Sequence, residues 1–448
     1  MKKTYFVIAA LMVMLLGLTG CDFGFGGGGG QGNPWSGQYN VVLEGNITND
    51  MTIHAVDSVL LAGQTFVKAG VTITIEAGAT IEALPVDDEG LAPCLVIERD
   101  ATINAVGTAT NPITFTSYLP EDMRDRGSWG GLIILGNAPI NKTGGEAFVE
   151  GLVGVPYGGT DPADNSGTLK YVRVWYGGRS IGQDNEINGI TLAGVGNGTT
   201  VEHCEVAFNL DDGFEMFGGT VDLKYCSVLF VGDDAFDTDL GYQGRGQYLF
   251  ALIGDEDGNR GFEMDNDGSN MDKSPRSQPK FSNVTIIGSG DTSVVADNDQ
   301  VLRLREGTGG DFRNMIIVDG KEYGVRVTDD PTFTIAVTTP GTDENYLYFS
   351  SNNIVYDCKE SQFKEDSTWN AFSMAWTAID EDPGVGAVGR EDAAEGSVTV
   401  LPTADGPAFQ NVDAVISDDF FETVTFKGAF GTTNWLEDWS WLDVNGRF

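Results

Sequence analysis

Asp211 and Asp212 recur 22 residues later as Asp233 and Asp234, and Asp237 stands three positions beyond the second pair. Carboxylates repeated at one spacing converge if the chain folds back on itself at that spacing. Five oxygen donors in one place suit a hard cation such as Ca2+, which takes about six to eight oxygens at about 2.3–2.6 Å. They suit equally a solvated acidic face that binds nothing, where stacked like charges repel but water screens them. Both readings stay open on the residues alone. Two basic groups follow the cluster and could act on a substrate held beside it. One is Lys273, in the polar run DNDGSNMDKSPRSQP, and the other is Arg303.

What would bring these residues together is a repeat. Residues 201–268 contain VEHCEVAFNLDDGFEMFGGT, VDLKYCSVLFVGDDAFDTDLGYQG and YLFALIGDEDGNRGFEMDNDG. Cys204 falls on Cys226, Asp212 on Asp234, Phe214 on Phe236 and Glu215 on Asp237. Phe262 and Glu263 take the same two columns after a 26-residue step. A period of about 20–26 residues marks a solenoid, in which one turn cannot bury its own apolar face. Each turn here holds short alternating strands and glycines and no helical period, so the chain reads as an all-β, single-stranded parallel β-helix with capped ends. Strands of successive coils lie about 4.8 Å apart. Phe214, Phe236 and Phe262 should therefore stack inward, with Met216 and Met264 beside them. Glu215, Asp237 and Glu263 should point outward, and Arg303 and Arg326 should continue that outward column with the opposite sign. An acidic ladder running into a basic one is stabilising by itself.

Other stretches fit the same plan. Val71, Ile73 and Ile75 alternate with Thr72, Thr74 and Glu76. Trp129, between glycines, reads as a packed corner rather than a sugar platform. Residues 137–166, rich in glycine and proline, form an insertion from one edge. Residues 331–410 are irregular, with a strand at 351–358 and a short helix expected across 369–382. Trp435, Trp439 and Trp441 read as a cap plugging the open end of the core, with a carbohydrate platform as the competing reading. Cys204 and Cys226 stack on one column, either as thiols or as a disulfide across neighbouring coils, a geometrically awkward bridge.

The run LVIERDATINAVGTATNPITFTS, then RGSWGGLIILGNAPIN, TLKYVRVWYGG, NEINGITLAGVGNGTTVEH, DDGFEMFGGTV and DDAFDTDLGYQG resembles a group of bacterial exported and lipid-anchored right-handed β-helix proteins of the pectate-lyase-like superfamily. The resemblance implies a right-handed coil and export. The cluster Asp233, Asp234 and Asp237, with Asp211 or Asp212, also looks like the calcium site of family 9 pectate lyases. That similarity implies β-elimination on a uronate, with calcium acidifying the carbon-bound proton and a base such as Lys273 or Arg303 removing it. Neither residue sits in a motif matching that family's lysine.

The chain opens with MKKTYFVIAALMVMLLGLTGC, two lysines, a short apolar run and Leu18-Thr19-Gly20-Cys21. This reads as a lipoprotein signal over residues 1–20. Cys21 would become the lipidated first residue and residues 21–37 a glycine-rich tether, leaving 38–448 as one β-helix domain with a C-terminal cap. The expected location is the bacterial cell envelope, outside the cytoplasm, at the outer membrane or on the periplasmic face of the inner membrane, with membrane contact through the lipid alone. The formal charge is −40, from 26 basic and 66 acidic residues. No basic patch suited to nucleic acid is present, and polyanions are repelled unless a cation intervenes. Three functions follow. The first is a non-catalytic acidic rod for glycan binding or adhesion, with a polysaccharide or a surface protein as partner. The second is a Ca2+-dependent polysaccharide lyase, and the third an accessory subunit of a surface complex.

Overall fold

In the computed structural model the folded body runs from Tyr39 to Phe448. The residues described are 38–87, 90–149, 152, 154–182, 185–340, 345–366, 376–390 and 396–448. The signal, Cys21 and the tether lie outside them. No helix among the described residues is long and apolar enough to cross a membrane.

Among the described residues, twenty-six strands join in one parallel sheet that winds as a right-handed β-helix with three faces. The first face stacks Ile53, Ile75, Ala105, Leu169, Val201, Leu223, Gly246, Phe281, Phe312 and Phe349 in register. The second carries the later halves of the same long strands, such as Val206 over Val228. The third carries the short strands Ile190–Ala193, Phe214–Phe217, Phe236–Asp239, Phe262–Met264, Gln300–Leu304, Tyr323–Thr328 and Ser361–Asp366. Alternation along these strands sends apolar side chains inward. Phe214, Phe236 and Phe262 are wholly buried, with ring centroids 5.4 and 4.8 Å apart. Met216 and Met264 lie beside them, also buried.

The corner between the first two faces needs one left-handed residue per coil. Tyr171, His203, Tyr225 and Tyr248 supply it, with φ between 50° and 61°. Bulky residues avoid this region. Here their rings stack at 4.4–4.5 Å, which offsets part of the strain. A second corner repeats the device with Tyr176, Phe208 and Phe230.

Trp435, Trp439 and Trp441 lie against these columns, along the flank of the coils. Trp439 meets Tyr171 edge-on at 5.5 Å, and Trp441 meets Phe208 at 4.8 Å. This corrects the expected plug over the open core. The rings already stacked on the outside of the coils give the tryptophans an apolar surface to bury against. Burial of Trp439 and Trp441 also removes them as a sugar platform. Trp376 instead covers the last coils, stacked on Phe349 with its indole N–H on Val337 O. Of the helix expected across 369–382, the described part, 376–382, is not helical. Its Ile379 makes a parallel bridge to Ile354, because the neighbouring coil offers a free edge. Trp129 is a packed corner, its indole N–H on Trp175 O. Cys94, Cys204, Cys226 and Cys358 are thiols.

Candidate cation site on the third face

The outward column of the third face changes chemistry along its length. Val96 and Ile133 come first, buried under the insertion through Ile140, Leu152 and Tyr157. Thr191 follows. Glu215, Asp237 and Glu263 then stack in register, and Arg303, Arg326 and Lys364 complete the column. The insertion also reaches the far ends of these strands, where Asn141 N–H donates to Leu240 O.

Two further columns form where the chain turns into each strand. Gly189 N–H bonds Asp212 O, Gly213 N–H bonds Asp234 O, and Ala235 N–H bonds Arg260 O. Asn188, Asp212, Asp234 and Arg260 therefore follow one another from coil to coil. The residues before Asp212, Asp234 and Arg260 are Asp211, Asp233 and Asn259. Gly213 makes the turn possible, since a Cβ there would lie 2.5 Å from Ala235 O.

The geometry brings all five expected aspartates together and adds two glutamates. Ligand-capable oxygens of Asp211, Asp212 and Asp233 lie within 4.8 Å of one another, as do those of Asp212, Glu215 and Asp237, and those of Asp234, Asp237 and Glu263. Asp212 links the first set to the second, and Asp237 the second to the third. Asp212 and Asp234 are 6% and 3% exposed. Burial holds Asp212, Asp234 and Asp237 well above the usual carboxylate range, and the neighbouring carboxylates push the same way. Asp233 is raised as well, again chiefly by burial.

The sets differ in what compensates them. Arg260 Nη1 lies 3.2 Å from Asp234 Oδ2 and 2.8 Å from Glu263 Oε1. Arg305 Nη2 is 2.6 Å from Glu263 Oε2 and 2.7 Å from Asp265 Oδ2, while Arg303 Nη1 is 3.6 Å from Glu263 Oε1. Guanidinium groups thus occupy the third set. At the first, Asn259 Nδ2 donates to Asp233 Oδ1 at 2.7 Å. At the second, Asn188 Nδ2 donates to Glu215 Oε2. Asp237 Oδ1 is buried without a hydrogen-bond partner. An all-oxygen donor set with an orphaned carboxylate oxygen fits a hard divalent cation.

The two expected bases separate. Lys273 Nζ is 2.8 Å from Asp267 Oδ2, a loop carboxylate outside the three sets. Arg303 stands in the column itself. Burial, and then Arg260 and Arg305, lower its pKa, and its Nε is buried without a partner.

Asn188, Asn259, Arg260 and Arg305 escaped the sequence reading, although a signal existed. Laying NRGFEM on DDAFDT places Asn259 and Arg260 on the two aspartate columns. A comparison with protein-family models matches the description "Pectate-lyase like beta helix domain" over residues 45–387. No curated protein and no solved structure matches the chain.

Proposed function

The chain belongs to the pectate-lyase-like β-helix domain family, and on that footing we propose that it is an exported, lipid-anchored rod that binds acidic glycans through calcium held on its third face. The observation that carries this reading is the convergence of seven carboxylates in three linked sets, drawn from the outward column of the third face and the two columns at the turn into it. Buried like charges of this density are costly without a counter-ion, and a divalent ion bridges them to an anionic glycan that the bare protein would repel. Lipid on Cys21 would hold the rod at the envelope, with the glycine-rich residues after it as a tether. Immobilised polygalacturonate tests the reading. The protein should be retained in calcium, released by chelator, and not retained in magnesium alone. Asp233→Asn/Asp234→Asn should flow through. Retention that ignores chelator would end the proposal.

Arg303 favours a second reading, β-elimination on the bound uronate. Its guanidinium faces outward beside Glu263, has a free Nε, and is the easier to deprotonate for its burial and its cationic neighbours. Bound calcium would supply charge stabilisation at the uronate carboxylate. A lyase would release unsaturated oligosaccharides, visible by ultraviolet absorbance, and Arg303→Ala should abolish that signal while retention persists. Retention without any product leaves the binding function alone.

A further inference from the structure

We propose that the third face holds two calcium ions per chain, bridged by Asp212, with Asn188 and Asn259 each turning a side-chain oxygen onto one of them. This deepens the calcium reading above and rests on it.

The three carboxylate sets are close in composition, yet their surroundings divide them. The set of Asp234, Asp237 and Glu263 already contains the guanidinium groups of Arg260, Arg303 and Arg305. A third cation there would have to displace fixed, hydrogen-bonded charge. The other two sets each carry an asparagine instead. Asn188 is 4% exposed, and its Nδ2 donates to Glu215 in the set of Asp212, Glu215 and Asp237. Asn259 Nδ2 donates to Asp233 in the set of Asp211, Asp212 and Asp233.

In both asparagines the amide oxygen is buried and has no hydrogen-bond partner. A buried carbonyl without a donor is rare, because its desolvation is uncompensated. The amide oxygens of Asn141, Asn209 and Gln278 are orphaned too, but only Asn188 and Asn259 have their amide nitrogen on a carboxylate of these sets, one at each set that lacks arginine. With no cation, an amide nitrogen is the best available partner for a carboxylate. With a cation, rotation of the amide by half a turn presents the oxygen, a neutral ligand of the kind calcium accepts. Each site then has three carboxylates and one amide oxygen. Asp212 belongs to both, so its two oxygens can serve neighbouring ions.

Calcium counted by native mass spectrometry and by calorimetry, at physiological ionic strength with excess magnesium, tests this. The parent should take up two ions. Asn188→Ala and Glu215→Gln should each take up one, as should Asn259→Ala, and Asn188→Asp should restore two. Asp212→Asn should weaken both sites. One or three ions on the parent, or two ions retained by Glu215→Gln and Asn188→Ala, would overturn the two-site arrangement while leaving calcium binding intact. No uptake by the parent would overturn the calcium reading itself, and this inference with it. The parent count stands even if a variant fails to fold.

Discussion

At the scale of single residues, the acidic columns store protons. Asp212, Asp234 and Asp237 are held well above the usual carboxylate range by burial, and burial pushes Asp239 up to about 7 and Asp265 up to about 8. A carboxyl with a raised folded-state pKa stabilises the fold fully below its unfolded value, and that contribution is lost as pH rises through the folded value. Glu202 and Asp267, held down to about 2, act in the opposite sense and only at lower pH. Thermal unfolding in chelator should therefore show Tm falling between about pH 5 and about pH 8. Saturating calcium should make the fall shallower without abolishing it, because the ion replaces protons within the carboxylate sets but not on Asp239 or Asp265, which lie outside them. Parallel curves with and without calcium would contradict this. Glu205 makes a separate case on the second face. It is wholly buried and raised to about 7 by burial, and it accepts from Trp441 N–H at 2.7 Å and from Trp175 Nε1 at 3.0 Å. Glu205→Gln keeps an acceptor and carries no charge, so above pH 7 it should unfold at or above the parent temperature. Glu205→Ala strands those donors and should cost about 1–3 kcal/mol in denaturant unfolding.

At the scale of the coil, Phe236 shows how the solenoid is held. Its ring lies between Phe214 and Phe262, with no exposed surface. Phe236→Ala should cost about 3–5 kcal/mol through the cavity it leaves, read from chemical denaturation. An effect much smaller than that would mean the stack closes up. This column was legible in the sequence because aromatic and acidic residues recur at one 22-residue step, and a parallel sheet turns that recurrence into contact. Arg303 and Arg326 were legible on the outward column from the apolar alternation of QVLRLREG and YGVRVTDD, which resumes the coils after the polar loop. The asparagines and Arg260 were not read, because the third copy arrives after 26 residues and replaces Asp-Asp by Asn-Arg. A match sought by chemical likeness passes over the position where the chemistry changes. The resting place of the tryptophans was beyond reach for another reason. It depends on left-handed corner residues, whose rings stack only once the coil exists; His203 and Tyr225, like Phe208 and Phe230, recur at the 22-residue step, but the sequence does not announce the left-handed backbone that turns their rings outward.

At the scale of the whole molecule, the anchorage proposed above rests on Cys21, far in sequence from the residues that close the flank. Cys21→Ser should leave the protein unprocessed or free of membranes on fractionation, and an unmodified mature N-terminus elsewhere, found by mass spectrometry, would refute the anchor. The C-terminal segment has a different consequence, which concerns time. Bonds between neighbouring coils span short stretches of chain, such as the 22 residues from Glu205 to Ser227. Those made by the last residues span far more, 266 from Arg173 to Trp439 and 236 from Glu205 to Trp441. A chain delivered amino end first can stack its coils as they appear, since local pairings close quickly. The flank can be sealed only once Trp439 and Trp441 have been made. Proteolysis sampled during refolding should find the coils protected before the segment beyond Gln410 is. A chain cut short before Trp435 would keep its coils and leave two rows of aromatic rings bare, so the late bonds serve as a seal on coils already built.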